Sequence, residues 1–283
     1  MTKRLRSLKS LRQRIDALDD QLHDLLMERA DVVGEIVEAK RAEKVAAEVP
    51  GRETEILRRL AKRHKGPFPR GALVRLWREI VSAAIAQQAE FPVAVAVPDS
   101  DPGIWDLARD HYGSQVPMTA LKSTAEAMRA LAEGRANAAV VAVPGDGVED
   151  SWWRSLAAGG EGPRVTARLP FDGRGNARGE RDAFVLSRNP GAPAGDRSVY
   201  ALEISGEVSR SGLAGSIAGD GIAVDLLALT RANDRSWGLV DFDAFLPPDD
   251  ARLAKLLAPL GGRVAHASAL GFYARKLPAE APR

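Results

Sequence analysis

From Leu8 onward the apolar residues fall at Leu8, Leu11, Ile15, Leu18, Leu22 and Leu25, then at Val32 and Ile36. The steps alternate between three and four residues, the rhythm of a helical seam packed against another helix. No proline interrupts the stretch and Gly34 is its one glycine. A single helix from residue 8 to about 43 is therefore predicted, roughly 50 Å long at 1.5 Å per residue. A small domain cannot cover such a rod, so a partner chain is expected. Between Leu25 and Val32 the rhythm demands an apolar residue, and Arg29 stands there. A guanidinium on a packed seam is costly unless an anion meets it. Lys40 returns to almost the same face at about 100° per residue. Two cations aimed into one helical interface point to a pocket for a small acidic molecule.

The chain has 283 residues, enough for two domains and a third small one. It contains no cysteine, which excludes a disulfide framework, a thiolate nucleophile and a cysteine metal cage. No apolar run is long enough to span a bilayer, and Met1 to Ser10 lack the apolar core of a signal peptide. A cytoplasmic location is expected. A formal net charge of +2 gives little reason to expect a nucleic-acid partner. Lys3, Arg4, Arg6, Lys9, Arg12 and Arg14 crowd the start of the chain and read as a solvated helix face. His23, His64, His111 and His266 show no metal-ligand spacing, and neither metal nor cofactor is expected.

After Pro50-Gly51, which reads as the end of a connector, Arg52 to Lys65 is predicted as a second helix. Gly71 to Glu90 is a third, with Leu73, Trp77, Ile80, Ala84 and Gln88 on one stripe. From Phe91-Pro92 the texture turns to α/β. Strands are predicted at Val93 to Val97, Ala138 to Val143, Arg164 to Leu169 and Asp182 to Ser187. Helices are predicted at Gly103 to His111 and Ser123 to Glu133. Asn189 to Gly195 reads as a linker. The last part reads strand, helix, strand, strand, helix, strand from Val199 to Tyr273. That βαββαβ order resembles a ferredoxin-like sandwich. Trp152-Trp153 reads as core or interface, and Asp146 to Asp150 as a solvated loop.

One constellation joins the seam charges across the three N-terminal helices. It runs Leu11-Arg12, Ile15-Asp16, Leu18-Asp19, Glu28-Arg29, Lys40, Arg52-Glu53 and Ala84-Ile85-Ala86-Gln87-Gln88. In spacing and residue type this resembles the all-α (type II) chorismate mutases over roughly residues 8 to 90. The resemblance implies conversion of chorismate to prephenate by an intramolecular Claisen rearrangement. That step belongs to the shikimate pathway of phenylalanine and tyrosine biosynthesis. It requires orientation and preorganised charge rather than a nucleophile. On the family pattern Arg29 holds one carboxylate with its planar fork and Arg12 the other. Lys40 and Gln88 donate to the ether oxygen. Glu53 accepts from the ring hydroxyl, with Arg52 beside it. Arg12 and Arg29 lie about 100° apart around the helix, so one chain does not easily offer both to one site. The family's solution is an interlocked homodimer. Two positions depart from the pattern. Val49, with Glu48 before it, stands where an acidic residue is common, and Ala84 where serine is common.

Taken singly, these residues have plainer readings. Arg12 reads as surface, Arg29 as a partner for Asp24 or Asp31, and Lys40 as a lysine snorkelling at a helix end.

Residues 91–190 resemble a shortened prephenate dehydratase, a domain that often follows a bacterial chorismate mutase. Val93 to Val97, His111-Tyr112-Gly113 and Gly134 to Pro144 carry that likeness. The dehydratase motifs are replaced at Asp101-Pro102-Gly103, at Pro144-Gly145-Asp146 and at Asp182-Ala183-Phe184, so no dehydratase activity is expected. Residues 196–277 resemble an ACT domain, most closely at Trp237 to Asp243 and Leu270 to Tyr273. The phenylalanine-binding stretch is absent, and Gly212-Leu213 and Thr230-Arg231 are its faint remnants. A structural or dimerising role is expected there. The expected architecture is therefore an all-α domain at 1–90, an α/β unit at 91–190 and an ACT-like unit at 196–277. Two other classes stay open: a helical adaptor with a relict site, and an amino-acid-sensing regulatory protein.

Overall fold

A computed structural model describes residues 7–43, 50–145, 151–158, 162–173, 177–191, 194–219, 221–232 and 234–278. Lys3, Arg4, Arg6, Glu48, Val49 and the stretch from Asp146 to Asp150 lie outside them. The first helix, α1, is Leu8–Glu43. Pro50 and Gly51, expected in the connector, instead open α2, Pro50–Arg63. Proline is at home in a helix's first turn, where its missing N–H has no partner to lose. The third helix, α3, is Arg70–Gln88.

The apolar seam of α1 is open. Leu18 is 49% exposed, Leu22 59% and Leu25 60%. The buried positions lie one residue on from the predicted ones, at Val33 and Val37, while Val32 and Ile36 stay exposed. Helix α3 covers one flank of α1, and among the described residues the rest of the stripe stays exposed.

The remaining two thirds of the chain build one nine-stranded sheet. Its first part comprises β1 (Val93–Ala96), α4 (Gly103–Tyr112), β2 (Met118–Leu121), α5 (Thr124–Ala132), β3 (Ala138–Ala142), α6 (Trp152–Ala157), β4 (Arg164–Leu169) and β5 (Ala183–Ser187). Its second part comprises β6 (Arg197–Ser205), α7 (Arg210–Ile217), β7 (Val224–Ala232), β8 (Arg235–Phe242), α8 (Ala251–Leu257), a short 3-10 segment and β9 (Val264–Tyr273). Strand order is β2-β1-β3-β5-β4-β9-β6-β8-β7. Strand β1 runs parallel to β2 and β3, and β5 antiparallel to β3 and β4. The last four strands pair antiparallel throughout. The two parts join where Val165 of β4 pairs in parallel with Gly271 of β9.

Alternation along the strands separates the layers. Val93 and Val95 of β1 pack with Ile104, Leu107 and Ala108 of α4, while Ala94 and Ala96 pack with Ala127 and Leu131 of α5. In β6, Tyr200, Leu202 and Ile204 pack with Leu213 of α7 and Leu253 of α8; Val199 and Ala201 face the layer of Trp153. Trp153 is wholly buried and Trp152 nearly so. Helix α5 starts where Ser123 Oγ accepts from the Glu126 N–H at 3.2 Å, an N-terminal cap.

Charges knit the joint. Asp241 of β8 is fully buried. It accepts from Arg168 at 2.9 Å, from Arg197 at 3.0 Å and from the Tyr273 hydroxyl. A carboxylate so deep is tolerable only when met by that many donors.

Helix α3 is the hinge plate between the two halves. Its buried residues are Val74, Arg78, Val81, Ser82 and Ile85, and Val81 and Ile85 pack with Leu107, Ala108 and Tyr112 of α4. The predicted stripe of Leu73, Trp77, Ile80, Ala84 and Gln88 is only half-buried. Both faces of α3 carry apolar side chains, and the sheet layer takes the more deeply buried one. Glu79 Oε2 accepts from the Ser114 N–H at 2.9 Å and from its hydroxyl at 3.1 Å. A Cβ at Gly113, whose φ is +74°, would lie 2.4 Å from that oxygen, so this close approach needs glycine.

Candidate active site

Three helices deliver the central groups. Near the end of α1, Lys40 donates from Nζ to Gln88 Oε1 at 3.1 Å. Gln88, at the end of α3, donates from Nε2 to the Ala84 carbonyl at 2.9 Å. That back-bond fixes the amide plane and leaves the second Nε2 hydrogen for another acceptor. From the first turn of α2 comes Glu53, close enough to Lys40 for each to affect the other's charge. The structure thus brings Lys40, Gln88 and Glu53 close together.

Arg29 is half-buried on the same helix, roughly 16 Å from Lys40 along the axis. Burial lowers its pKa. Among the described residues it enters no ion pair; Asp24 lies instead 3.5 Å from His23. Arg12 is exposed, about 25 Å along the axis from Arg29, and is not brought to the cluster. Arg52 points away as well, its guanidinium donating to Glu55 at 3.1 Å on the exposed side of α2.

Sequence reasoning missed Arg78. Its guanidinium donates from Nη1 to Glu53 Oε2 at 3.1 Å, with both side chains largely buried, 7% and 12% exposed. The signal was the one that singled out Arg29: a charge in an apolar rhythm, here Val74, Arg78, Val81, Ile85. Burial pushes the Glu53 carboxyl up, with Arg78 and then Lys40 pulling it back. Burial lowers the Lys40 ammonium, opposed by Glu53. Oε1 of Glu53 is buried and meets no donor among the described residues.

Behind Arg78 lies a cavity of about 20 Å3 lined by Glu53, His111, Arg168 and Phe171 among others, room for about one water. The Phe171 ring sits 5.5 Å below the Arg78 guanidinium. Burial holds the His111 imidazole well below its usual range, and the Arg78 charge pushes the same way. His111 is therefore neutral in the folded chain. Because its folded pKa is depressed, its contribution to stability is complete above about pH 6.5 and is lost as pH falls below it. Thermal midpoints should fall between about pH 7.5 and pH 5.5, and less so in His111→Asn. The raised carboxyls of Glu53, Asp110 and Asp241 act with the opposite sign in both proteins, so the difference isolates His111. Equal falls in the two proteins would refute this.

Residues 11–89 match the family described as chorismate mutase type II. The bifunctional chorismate mutase/prephenate dehydratase of Stutzerimonas stutzeri is 33% identical over 143 residues, covering 48% of this chain and 38% of that protein. The one from Aquifex aeolicus is 37% identical over 98 residues, covering 33% of this chain and 27% of that protein. The chain thus spans well under half the length of the curated relatives it matches. Among solved structures, prephenate dehydratase from Arthrobacter aurescens in complex with L-Phe is similar at a TM-score of 0.47 and 14% identity. That match covers 67% of this chain and 92% of the other. The helical unit at residues 11–89 is thus the part of the chain that is similar to the type II chorismate mutases.

Proposed function

We propose that the chain is a chorismate mutase that turns chorismate into prephenate, and that it works as a homodimer. The observation that carries this reading is the convergence of Lys40, Gln88 and Glu53 from three helices of a domain matched to that family. In the rearrangement one C–O bond breaks and one C–C bond forms within a single molecule. Negative charge grows on the ether oxygen. The Lys40 ammonium and the spare Gln88 hydrogen meet that oxygen, in a site where partial desolvation strengthens their pull. The unpartnered Oε1 of Glu53 accepts from the ring hydroxyl. Arg29, which enters no ion pair among the described residues, clamps one substrate carboxylate. Arg12 serves the second chain's site. The open Leu8 to Ile36 stripe supports this pairing, since a stripe of that length requires a cover.

The rest of the chain we read as a scaffold without dehydratase activity. Arg178 closes over the first turn of α4, where Asp101-Pro102-Gly103 replace the dehydratase motif. Its N–H and guanidinium bond Asp106 at 2.8 to 3.0 Å. A Cβ on Gly103 would lie 1.6 Å from the Arg178 carbonyl oxygen. That turn is covered by the chain itself. The β9-β6-β8-β7 order and antiparallel pairing support an ACT-like assignment for 196–277.

The test follows chorismate loss by ultraviolet absorbance and phenylpyruvate formation from prephenate. Enzyme-dependent chorismate loss without phenylpyruvate is expected, and the same result with phenylalanine or tyrosine added. No chorismate loss would leave the adaptor reading. Clear phenylpyruvate formation would refute the scaffold assignment.

A further inference from the structure

Arg78 lies outside the residues that the family resemblance brings to the site. It belongs to the face of α3 that packs on the sheet layer, yet its guanidinium reaches through to Glu53. An ion pair this deep is a poor source of stability, because desolvating both charges offsets most of their attraction. Its geometry is selective, though. Of the two Glu53 oxygens the guanidinium bonds Oε2, and among the described residues Oε1 is buried without a donor. A buried acceptor with no partner carries a penalty of about 1–3 kcal/mol unless a ligand supplies the donor. The groups around the pair are Lys40 from α1, His111 from α4, Arg168 from β4 and the Phe171 ring beneath Arg78. These packed neighbours restrict where Arg78 can place its donor.

We propose that Arg78 is a positioning residue for the mutase site: it holds Glu53 through Oε2 so that Oε1 is the oxygen offered to the substrate's hydroxyl. The inference rests on the mutase reading and extends it to the sheet, because Phe171 and α4 fix the Arg78 side chain. The positive charge of Arg78 also opposes the desolvation that favours a protonated Glu53. Without it, only Lys40 would do so, and Glu53 would lose its charge at a higher pH.

The experiment compares pH profiles of kcat and kcat/KM on chorismate for the full chain and for Arg78→Gln, Arg78→Lys, Glu53→Gln and the Glu53→Gln/Arg78→Gln double variant. Arg78→Gln should lower kcat/KM by roughly tenfold or more at neutral pH, and move the acid limb to higher pH. Arg78→Lys should return the limb toward its original place. In the Glu53→Gln background, the Arg78→Gln change should cost less than about twofold, the non-additivity expected of two residues acting as one unit. The double variant buries a neutral pair, so it and Arg78→Lys carry the test if Arg78→Gln alone does not fold. An acid limb that stays put when the charge is removed would overturn the proposal. So would an Arg78→Gln effect of equal size with and without Glu53, since that marks a docking contact only. Absence of chorismate turnover in the unaltered chain would overturn the mutase reading itself, and this proposal with it.

Discussion

Replacing Lys40 or Arg29 with alanine is expected to lower kcat/KM for chorismate by at least ~100-fold, the scale of losing one preorganised charge from a desolvated site. The two losses should differ in kind. Lys40 sits with Gln88 at the centre of the cluster and on the proposed mechanism acts on charge that exists only in the transition state, so its loss should fall on kcat. In the proposed site Arg29 holds a carboxylate already present in the substrate, so its loss should fall more on KM. Neither change should unfold the protein. Arg29 enters no ion pair among the described residues, so its removal breaks none. Lys40 is near the open end of α1, and alanine is a strong helix former. Circular dichroism and thermal midpoints close to those of the unaltered chain would separate a lost site from a lost fold. Turnover within a few-fold of the unaltered chain in either variant would reject the site assignment.

Placing a carboxylate in the middle of the open stripe, as in Leu22→Glu, should abolish the dimer and the activity together. Leu22 is 59% exposed in the single chain, with Leu18 and Leu25 beside it. Glutamate there is harmless to an isolated helix but must be desolvated if two stripes close on each other. Sedimentation velocity should show a monomer at micromolar concentration, a weakening of dimerisation by roughly 100-fold or more. Because Arg12 is about 25 Å along α1 from Arg29, a monomer would retain Lys40, Gln88 and Glu53 but lack the second carboxylate clamp. A Leu22→Glu protein that remains dimeric, or a monomer with unreduced turnover, would contradict the interlocked site.

The parts legible in the sequence are those with strong local signals. Helix α1 is marked by its three-and-four rhythm, and β1 and β3 by short runs of valine and alanine. Strand β2, Met118–Leu121, escaped notice because it is an edge strand of four residues with Thr119 and Ala120 exposed. Helix α6 is only six residues long, too short for a helical period to show. On α3 two apolar stripes compete, and sequence alone does not say which one the sheet layer will take. Choosing Trp77, Ile80 and Ala84 put Gln88 in view but hid Arg78. Lys40, Gln88 and Glu53 were legible as a set through the resemblance to the type II chorismate mutases. The Arg78–Glu53 bond was not, since it depends on how α2 and α3 pack on Phe171 and His111. The same limit applies to the joint of β4 with β9 and to the buried Asp241, whose partners come from three separate strands.

A dicarboxylate site assembled from two chains is tested most directly by mixing inactive variants. In an Arg12→Ala/Arg29→Ala heterodimer, the site that keeps Arg29 receives an intact Arg12 from the other chain, and the second site lacks both. Each homodimer should consume chorismate at least ~100-fold more slowly than the unaltered chain. After equal amounts are exchanged to equilibrium, chorismate loss should recover to about a quarter of the unaltered rate, since half the dimers are mixed and half their sites whole. A mixture no faster than the two variants measured apart would contradict the shared site.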